Sequence, residues 1–174
     1  HKCVTIARRQ LAAGNAVGIT CAKLSEAEAL AAGGIPDILI ANQVVVPGKA
    51  ERFAELAQKC RLTVAIDDDA QVQELSAALS GVGATVGVLV EVDIGMGRCG
   101  VPPGERALEL ARAAKAVPGL DFRGLQAYEG HCITVLDPNE RRRQVLSSMR
   151  QAVDTRRLIE ASGLPVRALS GGGT

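Results

Sequence analysis

The sequence predicts an α/β fold in which parallel strands and helices form part of a TIM-type (β/α)8 barrel. Strand-like and helix-like segments alternate along the 174 residues, the strand-like runs are rich in Val, Ile and Leu, and polar residues repeatedly follow their carboxyl ends. Repeated βα units with buried strands are typical of a parallel sheet covered by helices. A doubly wound open sheet is the alternative. The polar strand ends favour the barrel, and no Gly-x-Gly-x-x-Gly fingerprint follows the first strand to suggest a dinucleotide fold.

Six strands are predicted, and each except the last is followed by a helix. The strands are residues 16–20, 37–41, 62–66, 86–92, 122–127 and 166–169. The helices are residues 4–13, 25–32, a segment from Pro47, a segment capped within 67–69, then 103–116 and 139–162. Ser25 and Glu28 have capping-box spacing, Pro47 suits a first helical turn, and one of the aspartates at 67–69 is the expected N-cap of the fourth helix.

The composition limits the classes of partner. The net charge of +1 gives no electrostatic reason to bind nucleic acid or an anionic membrane, and the apolar runs have the length of strands. Aromatic residues make up only 2% of the chain, so we expect a core of Val, Leu, Ile and Ala. The five cysteines are widely spaced without a CxxC pair, which favours reduced thiols and a cytoplasmic location over disulfides or a zinc site.

Polar side chains converge at one end of the predicted barrel. Strand alternation and the loops that follow place these groups there: Glu91, Asp93, Gln126 and Tyr128, with Arg98 and His131 just beyond the strand ends. Active sites of parallel barrels lie at the carboxyl ends of the strands. Residues 170–174 (SGGGT) follow the last strand, and such a turn can direct backbone N–H groups at a phosphate. We therefore expect an enzyme that binds a phosphorylated cofactor.

Five motifs, in order along the chain, resemble one enzyme family. Residues 90–100 (VEVDIGMGRCG) resemble the V-D-x-G-M-x-R-x-G signature of the fold-type III pyridoxal phosphate enzymes, the alanine racemase-like barrels. Four further motifs are residues 18–23 (GITCAK), 37–44 (DILIANQV), 124–131 (GLQAYEGH) and 170–174 (SGGGT). They narrow the resemblance to the branch of D-threonine aldolases and D-serine dehydratases, and the aldolases are the most similar. The resemblance spans essentially the whole chain.

The resemblance implies a role for each matched residue. Arg98 would donate a hydrogen bond to a polar atom of the pyridine ring system, its 3-oxygen or its nitrogen, and Tyr128 would line the ring pocket. His131 would act as general base near the substrate β-hydroxyl, which suits an imidazole near neutral pH. The phosphate of pyridoxal 5'-phosphate would be held by the turn after the last strand, Ser170, Gly171, Gly172, Gly173 and Thr174.

The resemblance also implies parts outside residues 1–174. The family joins its cofactor to a lysine in an Arg-Pro-His-x-Lys-x-His-Lys stretch. Only the final His1-Lys2 is present, so the reactive lysine is expected two residues before His1, with Lys2 itself the less favoured candidate. The first strand and a C-terminal β-domain holding the ligands of a divalent cation, Mn²⁺ or Mg²⁺, are likewise expected elsewhere. Residues 1–174 are thus expected to be an incomplete barrel domain of a longer enzyme, and the resemblance implies a homodimer.

The activity implied by the resemblance is retro-aldol cleavage of a D-β-hydroxy-α-amino acid, for example D-threonine into glycine and acetaldehyde. The divalent cation would assist loss of the hydroxyl proton. Several alternatives remain open. A D-serine or 3-hydroxyaspartate dehydratase would eliminate the hydroxyl as water, and a racemase would need a second acid or base. A carrier of pyridoxal phosphate would bind without turnover, and an enzyme for a phosphorylated sugar would use the turn alone.

Some polar residues have a plainer structural interpretation. The aspartates at 67–69 are interpreted as a helix cap rather than a metal cluster, because consecutive side chains diverge. Glu91 and Asp93 are interpreted as hydrogen-bonding groups inside the barrel. Asn42 and Gln43 follow a strand end, and we expect them to contact the cofactor pocket.

Overall fold

The computed structural model describes residues 2–44 and 48–172, and strands alternate with helices throughout this range. The strands are β1 (Ile19–Cys21), β2 (Asp37–Ile40), β3 (Arg61–Ile66), β4 (Val86–Glu91), β5 (Leu120–Ala127) and β6 (Ala168–Gly171). The helices are α1 (Val4–Ala12), α2 (Leu24–Ala32), α3 (Lys49–Ala57), α4 (Asp69–Val82), α5 (Glu105–Ala116) and α6 (Pro138–Ala161), with a 3-10 turn at Gly130–Thr134. The predicted helix start at Pro47 lies outside the described residues.

The order of the strands confirms the partial barrel. All neighbouring strands are parallel, and their order in the sheet is the order in the sequence, from β1 to β6. A doubly wound sheet would reverse its order at a switch point. A sheet whose strands are added successively at one edge curls in one direction instead. The six strands therefore form a curled half-barrel with helices on its outer side.

The hydrophobic core lies between the outer face of this sheet and the helices. Val86, Val88 and Val90 of β4 belong to the core cluster together with helix residues such as Phe53 and Leu110. The alternate residues of β4 face the barrel interior, because successive side chains of a strand point to opposite faces. The predicted aliphatic core is confirmed.

Charged groups near the amino-terminal end of the interior are mutually paired. The Arg123 side chain lies over Gly87, donates to the Thr63 hydroxyl at 2.7 Å and pairs with Asp121 at 3.3 Å. Asp121 also accepts from Arg167 at 2.5 Å. We call these four side chains, Thr63, Asp121, Arg123 and Arg167, the amino-end network.

The observed strand boundaries differ most from the prediction at β1 and β6. β1 begins at Ile19 rather than at residue 16, and Val17 is 95% exposed. β6 extends from Ala168 to Gly171, two residues later than predicted, so that Ser170 and Gly171 pair with Gln126 and Ala127 of β5. The turn that follows the sheet therefore begins at Gly172. Glycine favours turns by its local preferences, but pairing with a neighbouring strand overrides those preferences here.

The Ser25–Glu28 capping box is wrong. Helix α2 begins one residue earlier, and the Glu26 carboxylate accepts from the backbone N–H groups of Ala22 and Lys23 at 3.0 and 3.3 Å. Glu28 instead pairs with Arg52 on α3 at 2.6 Å. The predicted aspartate cap of α4 is confirmed, since Asp68 accepts from the Ala70 N–H at 2.7 Å. Within the described ranges, no helix is both long and apolar enough to span a bilayer.

Candidate active site

A cavity of about 280 Å³ lies at the carboxyl ends of the strands. It is lined by Thr20, Ala41, Glu91, Arg98, Gln126, Tyr128, Ser170, Gly171 and Gly172. A larger cavity of about 690 Å³ runs along β1 between α1 and α2, lined mostly by small and apolar residues. We place the candidate active site in the smaller cavity because convergent polar groups, rather than volume, identify a catalytic pocket.

The loop that carries Arg98 is held rigidly by its own sequence motif. The Asp93 carboxylate accepts from the backbone N–H groups of Gly95 and Gly97 at 2.9 and 3.0 Å. Burial opposes ionisation of Asp93, but these backbone donors hold the pKa of its carboxyl below the ordinary value. The loop then returns to β4, where the Val101 N–H donates to the Glu91 carbonyl at 2.9 Å. Asp93 was expected to face the barrel interior, and its carboxylate is instead used within this loop.

Asp67, the residue after strand β3, holds the same loop by a hydrogen bond. Asp67 accepts from the Gly100 N–H at 2.9 Å and from the Gln71 side chain at 2.7 Å. Asp69 pairs with Arg106 on α5. The aspartates at 67–69 therefore divide into a loop anchor, a helix cap and an ion pair, as expected for side chains that diverge. Among the described residues, no group of three or more His, Cys, Asp or Glu side chains is arranged to hold a metal ion.

Arg98 and Tyr128 meet on the wall of the cavity. The guanidinium carbon of Arg98 lies over the Tyr128 ring, 5.9 Å from its centroid, which is near the outer limit of a cation–π contact. Within residues 2–44 and 48–172, the Arg98 guanidinium has no hydrogen-bond acceptor and no ion-pair partner. Its donors are consequently available to a ligand.

The glycine turn reaches the same cavity through Ser170, Gly171 and Gly172. A Cβ atom on Gly171 would lie 2.1 Å from the Ala127 carbonyl oxygen, so only glycine fits this close approach of β6 to β5. Gly172 has a φ of +107°, and its N–H donates to the Glu129 carboxylate at 3.2 Å. One predicted phosphate donor is thus already engaged by an acidic side chain. Gly173 and Thr174 lie outside the described residues.

His131 is not among the residues that line this cavity. Its ring packs against Gly95, where a Cβ atom would lie 2.9 Å from two ring atoms. His131 Nε2 lies 3.2 Å from the Ser148 hydroxyl and 3.4 Å from the Cys132 sulfur. His131 Nδ1 is buried and has no hydrogen-bond partner in the described part of the chain. The structure therefore attaches His131 to the back of the Arg98 loop, with one ring nitrogen unused.

Glu91 and Gln43 contribute more to the site than the sequence interpretation gave them. Glu91 is 6% exposed, lines the cavity, and accepts a hydrogen bond from the Gln43 side chain at 2.6 Å. Burial raises the pKa of the Glu91 carboxyl, the Gln43 hydrogen bond opposes this, and the charge of Asp67 adds to it. Gln43 thus reaches the pocket through Glu91. Asn42 turns away and donates to the Ala22 carbonyl at 3.1 Å.

Thr20 and Lys2 both lie at or near strand β1. Thr20 at the end of β1 lines the cavity, and no sequence motif singled it out. Lys2 forms an ion pair with Glu26 at 2.7 Å and lines the larger cavity along β1. This location agrees with Lys2 being the less favoured candidate for the cofactor link.

Comparison with known protein families places the fold. The sequence model of the family described as alanine racemase, N-terminal domain, matches residues 1–174. The chain belongs to this family. The parallel sheet described above agrees with this assignment.

Three similar proteins are two aldolases and one dehydratase. The chain is 42% identical to 3-hydroxy-D-aspartate aldolase of Paracoccus denitrificans over all of this chain and 45% of that protein. The crystal structure of D-threonine aldolase from Filomicrobium marinum superposes with a TM-score of 0.97 at 42% identity, over 100% of this chain and 47% of that one. D-threo-3-hydroxyaspartate dehydratase from Delftia sp. HT23 superposes with a TM-score of 0.88 at 28% identity, over 99% and 46%. The chain therefore spans about half the length of the relatives it matches.

Proposed function

We propose that the protein carrying this chain is a pyridoxal phosphate-dependent lyase that cleaves D-β-hydroxy-α-amino acids between Cα and Cβ. The supporting observation is the meeting of Arg98, Tyr128 and the Ser170–Gly172 turn in one cavity. This cavity belongs to a chain that is 42% identical to two aldolases of such substrates. The D-threonine reaction, giving glycine and acetaldehyde, is the simplest member of this class.

The residues of the cavity fit pyridoxal phosphate. Gln126 Oε1 is buried in the cavity wall without a hydrogen-bond partner among the described residues, so the site retains an unused acceptor. Arg98 supplies unused donors and the Tyr128 ring supplies a flat surface. Gly171 and Gly172 leave backbone exposed where a phosphate would approach. An acceptor, a cation, an aromatic face and a glycine turn together match a phosphorylated aromatic ring.

In the proposed reaction, the cofactor when bound supplies the electron sink that lets the Cα–Cβ bond break. Arg98 would donate to one of the polar atoms of the ring, and Tyr128 would line the ring pocket. Ser170 would hold the phosphate end, and the Gly172 N–H would join it on release from the Glu129 carboxylate. Because the Asp93-braced loop holds the Arg98 backbone in place, little reorganisation is needed on binding.

His131 is proposed as the base that removes the β-hydroxyl proton. In the tautomer whose proton is on Nε2, the Nε2–H donates a hydrogen bond to Ser148 Oγ, and Nδ1 is left with a free lone pair. The hydrogen bond of one ring nitrogen sets the protonation of the other. The proposed accepting atom is therefore Nδ1, which lacks a partner in the described chain. Gly95 packs against the Cε1 and Nε2 edge of the ring and Nδ1 is buried, so the proposed role requires the loop around His131 to shift when substrate binds.

Two components of the proposed enzyme would lie in sequence outside residues 1–174: the cofactor-linked lysine and the ligands of a divalent cation such as Mn²⁺. A homodimer is the proposed assembly. The cysteines described are all free thiols, and a reducing compartment such as the cytoplasm is the proposed location.

A dehydratase is the second candidate, supported by the superposition on D-threo-3-hydroxyaspartate dehydratase. The same pocket would then serve loss of the β-hydroxyl as water. Both reactions would act on a D-β-hydroxy-α-amino acid, so their products separate the two candidates. A carrier that only binds the cofactor is the candidate outside the enzyme class.

The deciding experiment uses the full-length protein with pyridoxal phosphate and Mn²⁺, and offers D-threonine and 3-hydroxy-D-aspartate in separate assays. We expect an aldehyde and glycine as products. A keto acid with ammonia would establish the dehydratase, and the absorbance of bound cofactor without turnover would establish the carrier. A protein that gains no cofactor absorbance would overturn the proposal.

The role of His131 is tested in the same protein. His131→Ala is expected to lower kcat by about 100-fold or more, as removal of a general base does, while cofactor affinity stays within about twofold. Leu136→Ala, at a 91% exposed position just after the same turn, is the matched control and should leave kcat unchanged. A His131→Ala enzyme with near-normal kcat would remove His131 from the mechanism.

A further inference from the structure

Three polar groups in the candidate active site have hydrogen-bonding or charge requirements that the described chain does not meet. Glu91 is a buried carboxylate with one hydrogen-bond donor, Gln43. Gln126 Oε1 is a buried acceptor with no donor among the described residues. The Arg98 guanidinium has five N–H donors and no acceptor in the same range. All three line one cavity.

The strand register places two of these groups side by side. Glu91 of β4 pairs with Gln126 of β5, and Gln126 pairs with Ser170 of β6. Directly opposed residues of neighbouring strands point to the same face of a sheet. Glu91, Gln126 and Ser170 therefore form a row across the interior, with the glycine turn at one end and the Arg98 loop above β4.

A cation offsets the cost of ionising the buried Glu91 carboxyl. An ionised carboxylate is costly to bury unless it is paired or hydrogen-bonded. The aspartates that act on it, Asp67 and Asp93, are like charges and increase this cost. The groups that reduce the cost are the Gln43 amide and the positive charge of Arg98. Gln126 Oε1 is an acceptor, so it cannot stabilise a neighbouring carboxylate and needs a donor of its own.

We propose that Glu91 and Gln126 are positioning residues for Arg98. The Glu91 carboxylate supplies the counter-charge of the guanidinium without a direct ion pair, and Gln126 Oε1 is the buried acceptor toward which the guanidinium turns when a ligand binds. The remaining N–H groups then face the ligand. The Tyr128 contact at 5.9 Å is too long to fix the guanidinium alone. The identity of the ligand rests on the proposed function, whereas the coupling among Glu91, Gln126 and Arg98 does not.

The first test is a double-mutant cycle on the cofactor-free, full-length protein, read as Tm. Arg98→Met leaves Glu91 without its cation, and we expect Tm to fall by roughly 2–4 °C. Glu91→Gln should raise Tm more in the Arg98→Met background than in the wild type, so that the double variant recovers most of the loss. Glu74→Gln, at an exposed position of α4, is the matched control and should give the same Tm change in both backgrounds.

Additive Tm changes for Glu91→Gln and Arg98→Met would overturn the charge coupling. Because the cycle uses no cofactor, its result stands whatever ligand the cavity takes. A variant that fails to fold shows no cooperative transition. In that event Arg98→Gln, which removes the charge and keeps polar donors, replaces Arg98→Met in the cycle and should show the same coupling to Glu91→Gln.

The second test measures the dissociation constant of pyridoxal 5'-phosphate by absorbance titration. Glu91→Gln and Gln126→Leu should each weaken binding by about tenfold in the wild type, equivalent to ~1.4 kcal/mol, and have no further effect in the Arg98→Met background. Binding of inorganic phosphate, which probes the glycine turn alone, should stay within twofold. Equal losses in both backgrounds would show that Glu91 and Gln126 do not act through Arg98. Absent binding to the wild type would defeat the proposed function and leave the Tm cycle intact.

Discussion

The two ends of the barrel interior use similar side chains in opposite ways. At the amino-terminal end, Asp121 pairs with both Arg123 and Arg167, and Arg123 donates to Thr63. At the carboxyl end, the Arg98 guanidinium has no such partner within the described ranges, and Gln126 Oε1 has no donor. Parallel barrels generally place stability at the first end and chemistry at the second. The comparison shows this division at the level of individual hydrogen bonds.

The pKa shifts of two interior acids, half-buried Asp121 and buried Glu91, reflect the same difference. Burial tends to raise the pKa of Asp121, but hydrogen bonds from Arg167 and Arg123 outweigh it and hold that pKa below its ordinary value. Burial raises the pKa of Glu91, and Gln43 and Arg98 only partly oppose this. Asp121 therefore stabilises the fold when ionised, whereas ionised Glu91 costs stability. Under the proposed function, this carboxylate serves ligand binding rather than folding.

The largest expected effect comes from adding a side chain where β6 approaches β5 closely, at the carboxyl end of the barrel. Gly171→Ala places a Cβ atom about 2.1 Å from the Ala127 carbonyl, and relieving this contact must shift β6 away from β5. We expect a loss of about 1–3 kcal/mol in the free energy of unfolding and about a 100-fold weaker affinity for pyridoxal phosphate. Denaturant melts and absorbance titration measure the two quantities.

The matched control for this prediction is Gly81→Ala. Gly81 lies within α4, and a Cβ atom there meets nothing within 4 Å. Alanine should stabilise the helix by about 0.5–1 kcal/mol and leave cofactor affinity unchanged. A Gly171→Ala protein that behaves like Gly81→Ala would mean that the close approach of β6 to β5 is not needed for binding.

Exchanging the same substitution between the two ends sharpens the comparison. Arg98→Met should weaken pyridoxal phosphate binding by roughly 10–100-fold and change the unfolding free energy by less than Arg123→Met does. Arg123→Met removes the centre of the amino-end network and should lower stability by about 2–3 kcal/mol, with cofactor affinity nearly unchanged. Paired denaturant and binding measurements on both variants check this. Parallel losses in the two variants would contradict a division between the ends.

A pH series tests the amino-end network through Asp121. An acid whose pKa is lowered in the folded state stabilises the fold above its unfolded pKa, about 3.9, and the stabilisation is lost as pH falls through the folded value. Asp121→Asn should lower Tm by roughly 2–4 °C at pH 7, and the difference from the wild type should shrink below about pH 4. Asp154→Asn, which removes an exposed pair with Arg157 on α6, is the control and should change Tm far less. A constant difference across pH would rule out the ionised pair as the cause.

The smallest effect is expected from the aromatic wall of the cavity. Tyr128→Phe keeps the ring under Arg98 and should leave cofactor affinity within about twofold. Tyr128→Leu removes the ring face, and the loss of about 0.5–1 kcal/mol corresponds to about two- to fivefold weaker binding. If Tyr128→Phe loses as much as Tyr128→Leu, the phenol rather than the ring is the contributing group.

Much of the site was accessible from the sequence because it is built from local motifs. The motif at residues 90–100 encodes its own loop, since Asp93 binds the N–H groups of Gly95 and Gly97. Arg98 and Tyr128 follow consecutive strand ends, and consecutive parallel strands bring them together. The role of Gln43 was harder to predict, because its contact with Glu91 joins residues 48 positions apart. Thr20 carried no signal, as a lone threonine at a strand end is common.

The sequence by itself determined the alternation of strands and helices and the aliphatic core, and its polar strand ends and its resemblance to a known family indicated the parallel barrel and the motifs that line the candidate site. The alternation and the core follow from periodicity, and the loop motif follows from hydrogen bonds that are local. The tertiary structure alone decided where β6 ends, which glutamate begins α2, and which interior charges are paired. It also placed His131 against Gly95 and Ser148 rather than in the lining of the cavity. Such outcomes depend on contacts between distant residues, whose free energies exceed the local preferences from which a sequence is interpreted.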